Sequence, residues 1–118
     1  MLEENIRLIR GDTGLFVIHA RNGIGDDIDL GPDIKIYFTV KKQYWMKSFE
    51  FQKTIGQGIT YSKSDNKYHL VIDPADTSHL DFGEYYYDIE IIMNNKTFTL
   101  CKGKFFIDWE VTYLENEV

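Results

Sequence analysis

Three histidines and one cysteine are the side chains of this sequence best suited to nucleophilic or metal chemistry. A thiol beside an imidazole makes a nucleophile–base pair, because the thiolate is the attacking species. His19, His69 and His79 stand far apart in the chain and form neither an H-x-H nor an H-E-x-x-H pair. Cys101 falls inside an expected strand, where a free thiol behaves as a small hydrophobe. A single cysteine closes no internal disulfide and excludes a Cys-rich zinc site. Asp26, Asp27 and Asp29, beside Gly23 and Gly25, bring carboxylates that suit Ca²⁺. That ion wants about 6–8 oxygens, and the stretch lacks the terminal bidentate Glu of a helix–loop–helix site. A solvated acidic loop accounts for it. Gly56-Gln57-Gly58 leads into a strand rather than a helix, so it is no phosphate cradle. Arg10-Gly11-Asp12 spells an adhesion tripeptide, yet Gly11 is explained by a bend between two strands. No catalytic, cofactor-binding or metal-ligating set emerges. The expectation is a non-enzymatic protein without a cofactor.

The elements that carry these residues are strands. The chain has 118 residues, which fits one domain spanning 1–118 with an ordered core of about 5–112. Hydrophobic residues make up 43%, enough for one packed core. There are 14 Ile, 8 Phe and 8 Tyr against 2 Ala. Branched and aromatic side chains suit a pleated, half-buried surface, whereas Ala favours helices. The fold class is therefore all-β. The formal net charge is −6, which disfavours phosphate backbones, so nucleic acid is not an expected partner. No apolar run spans a bilayer, and the charged first ten residues hold no signal-peptide core. Neither a membrane partner nor export by its own general-secretory signal is expected.

Along the chain, residues 5–10 alternate as a first strand. Residues 15–21 are nearly continuous in apolar side chains and read as a strand buried on both faces. Asn22-Gly23 is a turn, and residues 23–32 a loop. Residues 33–42 give the clearest strand: Ile34, Ile36, Phe38 and Val40 face one way, and Lys35, Tyr37, Thr39 and Lys41 the other. Residues 49–55 alternate again and suit an edge strand. Residues 59–61 and 68–72 read as further strands. Asp73 and Pro74 then suit the cap and first position of a short helical turn. Residues 84–93 form a long strand with Tyr85, Tyr87, Ile89, Ile91 and Met93 on one face. Asn94-Asn95 turns it back antiparallel, with Phe98 and Leu100 as core candidates and Gly103 as a bulge. The tail is expected to fray after Val111.

Asp81-Phe82-Gly83-Glu84-Tyr85-Tyr86-Tyr87 refines this pattern. In immunoglobulin-like sandwiches a Tyr at the start of strand F bonds through its hydroxyl to upstream backbone, pinning the crossover between sheets. Tyr85 stands at that position, after the bend at Gly83 and behind Asp81. Tyr87 stands two later, where antibody domains place a disulfide cysteine. The fold expected is an immunoglobulin-like β-sandwich of about seven to eight antiparallel strands, with one short helical turn before strand F. Tyr44, Trp45, Tyr86 and Trp109 fall outside the evident core pattern. Tyr and Trp are enriched at protein interfaces, which makes these four interface candidates.

The order of these features resembles the N-terminal immunoglobulin-like domain of phage baseplate upper proteins and their small prophage-encoded relatives. The resemblance is carried by Ile9-Arg10-Gly11-Asp12-Thr13-Gly14, Ile28-Asp29-Leu30-Gly31 and Val71-Ile72-Asp73-Pro74-Ala75-Asp76-Thr77. It continues through Gly83-Glu84-Tyr85-Tyr86-Tyr87-Asp88-Ile89 and Thr99-Leu100-Cys101-Lys102-Gly103-Lys104-Phe105, covering roughly residues 5–112. It implies a structural module of a phage or prophage tail, with other tail and baseplate proteins or further copies of itself as partners. It also implies a place in the virion tail after assembly in the cytoplasm of a bacterial host. The alternative of a different class is a carbohydrate-binding or adhesion β-sandwich on a bacterial surface.

Overall fold

Alternating apolar residues with glycine- and asparagine-bearing turns produce strands almost throughout. A computed structural model describes residues 2–21, Ile24 and residues 28–110. Among these, β1 (Leu2–Glu3), β2 (Ile6–Ile9), β3 (Gly14–Ile18), β4 (Lys35–Lys41) and β5 (Phe51–Ile55) come first. Then follow β6 (Gly58–Ser62), β7 (Lys67–Ile72), the helical turn α1 (Pro74–Thr77), β8 (Gly83–Met93) and β9 (Lys96–Asp108). The turn at residues 22–23, the carboxylates of Asp26 and Asp27 and the fraying after Val111 lie outside the described residues.

The chain is all-β with one short helix. Its ladders join into a single mixed sheet, ordered β1-β9-β8-β4-β5-β6-β7-β3, nearly closed into a barrel. β2 also pairs with β9, in the same register as β1: Leu2 lies opposite Cys101 and Ile6 opposite Phe105. The two are one edge strand interrupted at Glu4 and Asn5. This architecture corrects the expectation of purely antiparallel pairing, since β1–β9, β2–β9 and β5–β6 are parallel. Nor does the hydrogen bonding divide into two separate sheets. The reason lies at Gly56-Gln57-Gly58, where φ is +88° and +101° at the two glycines. The Thr54 and Gln57 main chains bond to each other there, and the chain kinks instead of reversing. It leaves β4 and pairs with β7, so the ladder runs on unbroken.

The core lies inside this curved sheet. Ile36, Phe38 and Val40 from β4 meet Tyr85, Ile89 and Ile91 from β8, Phe105 and Ile107 from β9, and Ile59, Leu70 and Ile72 from β6 and β7. Phe38 is central, with ring centroids 5.5 Å from Tyr87, 6.1 Å from Phe51 and 6.4 Å from Phe105. Burying such rings removes large apolar area from water and drives closure. Asn94 and Asn95 both adopt positive φ, the left-handed pair that a two-residue hairpin needs.

Three local expectations are corrected. β3 is not buried on both faces: Gly14, Phe16 and Ile18 turn inward, so Leu15 and Val17 alternate onto the outer face, where Leu15 is 75% exposed. β5 is not an edge strand, since it pairs with both β4 and β6. The bulge of β9 falls at Leu100 rather than Gly103, between the pairs Ile89–Cys101 and Glu90–Thr99. Past that extra residue the inward positions of β9 are Cys101, Phe105 and Ile107, and Leu100 is left half-buried; Phe98 keeps the face of its partner Ile91 but is exposed near the hairpin end.

Candidate functional site

The outer face of β4, β8 and β9 carries polar residues in two cross-strand rows. In one, Asp88 lies between Thr39 and Lys102; in the other, Tyr86 lies between Lys41 and Lys104. Side chains opposite each other on one face of a sheet are close enough to interact, so register alone assembles this set. Tyr44 leans in from the loop after β4 and stands edge-to-face with Tyr86 at 5.8 Å. Glu3 and Asn5 close the far side from the edge strand. The result is an open groove of about 610 Å³.

The charges in the groove are balanced. Lys104 lies 3.3 Å from Glu84, and Lys102 lies 3.8 Å from Glu3. The Tyr86 hydroxyl donates to the Glu84 carboxylate at 2.9 Å. That bond first, and Lys104 second, hold the Glu84 carboxyl below its usual range. Asp88 is half-buried and has no side-chain hydrogen bond or ion pair among the described residues. Burial, and then Glu90, push its carboxyl upward against the pull of Lys41.

Beneath the groove the edge strand breaks for a reason. A Cβ on Gly103 would collide with the Glu4 carbonyl, so only glycine lets the edge strand approach there. The same carbonyl accepts the Tyr87 hydroxyl at 2.8 Å, while Cys101 Sγ lies 3.2 Å from that hydroxyl. Burial pushes both the Tyr87 phenol and the Cys101 thiol up, which keeps them neutral.

The other sequence candidates occupy separate places. Tyr85 is buried and its hydroxyl donates to the Asp81 carbonyl at 2.9 Å, across the bend at Gly83 where φ is +135°. Of the four interface candidates, Tyr44, Trp45 and Tyr86 come together, with Trp45 6.3 Å from Tyr44. Trp109 does not join them. It stacks on Phe82, whose ring Arg10 covers at 4.1 Å. Arg10 also grips Glu110 with two hydrogen bonds, and the Gly11 N–H donates to the buried Thr77 hydroxyl. The Arg10-Gly11-Asp12 segment is thus tied into the fold through its first two residues.

His69 contacts Asp65 at 2.7 Å and His79 the Ala75 carbonyl at 3.1 Å, neither of them near Cys101 in the bonding pattern. Among the described residues no three His, Cys, Asp or Glu side chains converge as metal ligands. Asp88, Thr39, Lys102 and Lys104 were absent from the sequence candidates. Their outward parity was available from strand alternation, but their adjacency required knowing which strands pair.

These features define a β-barrel-like module with an aromatic-walled polar groove on its outer face. No protein-family model matches the chain, and no curated protein matches it either.

Proposed function

We propose that this chain is a non-enzymatic structural and interaction module of a phage or prophage tail, acting through protein–protein contacts. The observation that carries the interaction reading is the outer strand β3. Residues Gly14–Ile18 contain no charge and no proline, and Leu15 and Val17 are 75% and 40% exposed. Its backbone pairs on one side only, with β7, among the described residues. An unguarded apolar edge is a template for strand addition, which soluble chains otherwise block with lysine, proline or bulges. The opposite edge is different, since β2 carries Arg7.

The immunoglobulin-like reading belongs to the same proposal. In it, the edge strand with β9, β8, β4 and β5 forms one layer, and β6, β7 and β3 the other, with the kink at Gly56-Gln57-Gly58 as the crossing. The bond from Tyr85, at the start of the long strand β8, back to Asp81 supports it. The virion assignment rests on the resemblance of segments such as residues 9–14 and 83–89 to baseplate upper proteins. The module would assemble in the host cytoplasm with other tail proteins or with copies of itself.

Light scattering of the purified chain, alone and mixed with tail proteins encoded beside its gene, tests this reading. Association is expected, and Leu15→Lys should weaken it about tenfold by guarding the edge, without lowering the unfolding midpoint. A chain that stays monomeric at high concentration and binds none of those proteins overturns it.

A further inference from the structure

We propose that the outer-face groove of β4, β8 and β9 binds a neutral pyranose ring of a glycan. This goes beyond the tail reading and does not rest on it. The groove's floor excludes one large class of ligand. β8 is hydrogen-bonded on both sides, to β4 and to β9, so it offers no backbone edge to an added peptide strand. Whatever binds here is recognised by side chains.

Those side chains are mixed donors and acceptors against an aromatic wall. Tyr44 and Tyr86 stand at 75°, a corner rather than a closed stack. The C–H bonds on one face of a pyranose are weakly positive and pack against the electron-rich face of such a ring. The Asp88 carboxylate, which makes no side-chain hydrogen bond or ion pair among the described residues, accepts hydrogen bonds from two neighbouring hydroxyls. Lys102, opposite Asp88 on β9, and Lys41, one pair along on β4 and diagonal to it, donate from either side. Each cation in the groove faces a carboxylate: Lys102 faces Glu3, Lys104 faces Glu84, and Lys41 acts on Asp88. A polyanion would find no net positive field, whereas a neutral polyhydroxyl ring finds both partners it needs. The volume of about 610 Å³ suits a ligand of this size.

The test is a titration of the full ¹⁵N-labelled chain with glucose, galactose, N-acetylglucosamine and rhamnose, followed by amide shifts, with inorganic phosphate as a parallel titrant. At least one sugar should give saturable shifts confined to the groove strands. Tyr44→Ala, at an exposed position, should weaken binding about tenfold, and Asp88→Asn by a similar factor. Both variants should keep the wild-type spectrum elsewhere. Leu15→Lys should leave sugar binding unchanged, which separates this site from the β3 edge. The proposal is overturned if no sugar gives saturable shifts, if the shifts map away from the groove, or if phosphate saturates the same amides more tightly.

Discussion

The hydroxyl of Tyr87, in the middle of β8, reaches the main-chain carbonyl of Glu4 at 2.8 Å, joining residues 83 positions apart. It meets that carbonyl where the edge strand is interrupted, so the break between β1 and β2 is a docking point. The ring of the same tyrosine packs 5.5 Å from Phe38. One side chain thereby ties the barrel interior to its amino-terminal edge.

Tyr87→Phe keeps the ring and removes the donor. The Glu4 carbonyl loses its side-chain partner, and the loss should be about 1–2 kcal/mol in urea denaturation. Hydrogen exchange should accelerate selectively at the amide of Glu4, which bonds the Lys102 carbonyl.

Gly103→Ala tests the same contact from the other strand. The added methyl meets backbone rather than a movable side chain, so β1 and β2 must shift away from β9. A destabilisation of about 1–3 kcal/mol is expected, the range for overpacking. Gly11→Ala is a useful contrast: nothing lies within 4 Å of its missing Cβ, so any cost there comes from its φ of +81° alone.

Lys53 is buried on β5, with Nζ 2.6 Å from Asp76 and 3.2 Å from Asp73, so it fastens α1 to the barrel. Burial works to lower its pKa, but the two carboxylates outweigh burial and raise it above the ordinary 10.5. A raised folded value means that this contribution is fully present below the unfolded pKa and is lost as pH climbs through the folded one. Burial likewise raises the phenols of Tyr68 and Tyr85, which act in the same direction. Stability measured by denaturant should therefore fall as pH rises above about 10. Lys53→Met should cost roughly 1–3 kcal/mol at neutral pH and flatten part of that alkaline decline.

Asp88 has the opposite consequence at neutral pH. Its carboxyl is raised above the ordinary 3.8, chiefly by burial, so ionising it in the folded state is unfavourable. The stability linked to its neutral form is present below the unfolded value and lost as pH rises through the folded one. Asp88→Asn should raise the unfolding midpoint by a few degrees at pH 7, and the difference should close in strong acid. A thermal melt series across pH reads this directly.

Much of the fold was legible because strand alternation is local. The inward sets Ile36-Phe38-Val40 and Tyr85-Tyr87-Ile89-Ile91 follow from period-2 patterning, and α1 from Asp73 and Pro74. Leu100 is only half-buried because the bulge there changes parity midway along β9, and nothing in the residue types marks that point; Phe98 keeps the face of its partner Ile91 but stands exposed near the hairpin end. The groove was half legible. Tyr44 and Tyr86 stood out as aromatics without a core role, but Asp88 and Lys102 look like ordinary wet-face charges until their strands are paired.

The sequence by itself determined the all-β class, the face that β4, β7 and β8 bury and the hairpin at Asn94-Asn95, since these depend on neighbours a few residues away. Tertiary structure alone decided that the ladders join into one curving sheet, that the amino-terminal edge runs parallel to β9, and that Tyr87 meets Glu4. Those outcomes are set by register between distant strands, where the energies of many similar pairings differ little, and only packing of the whole core selects among them.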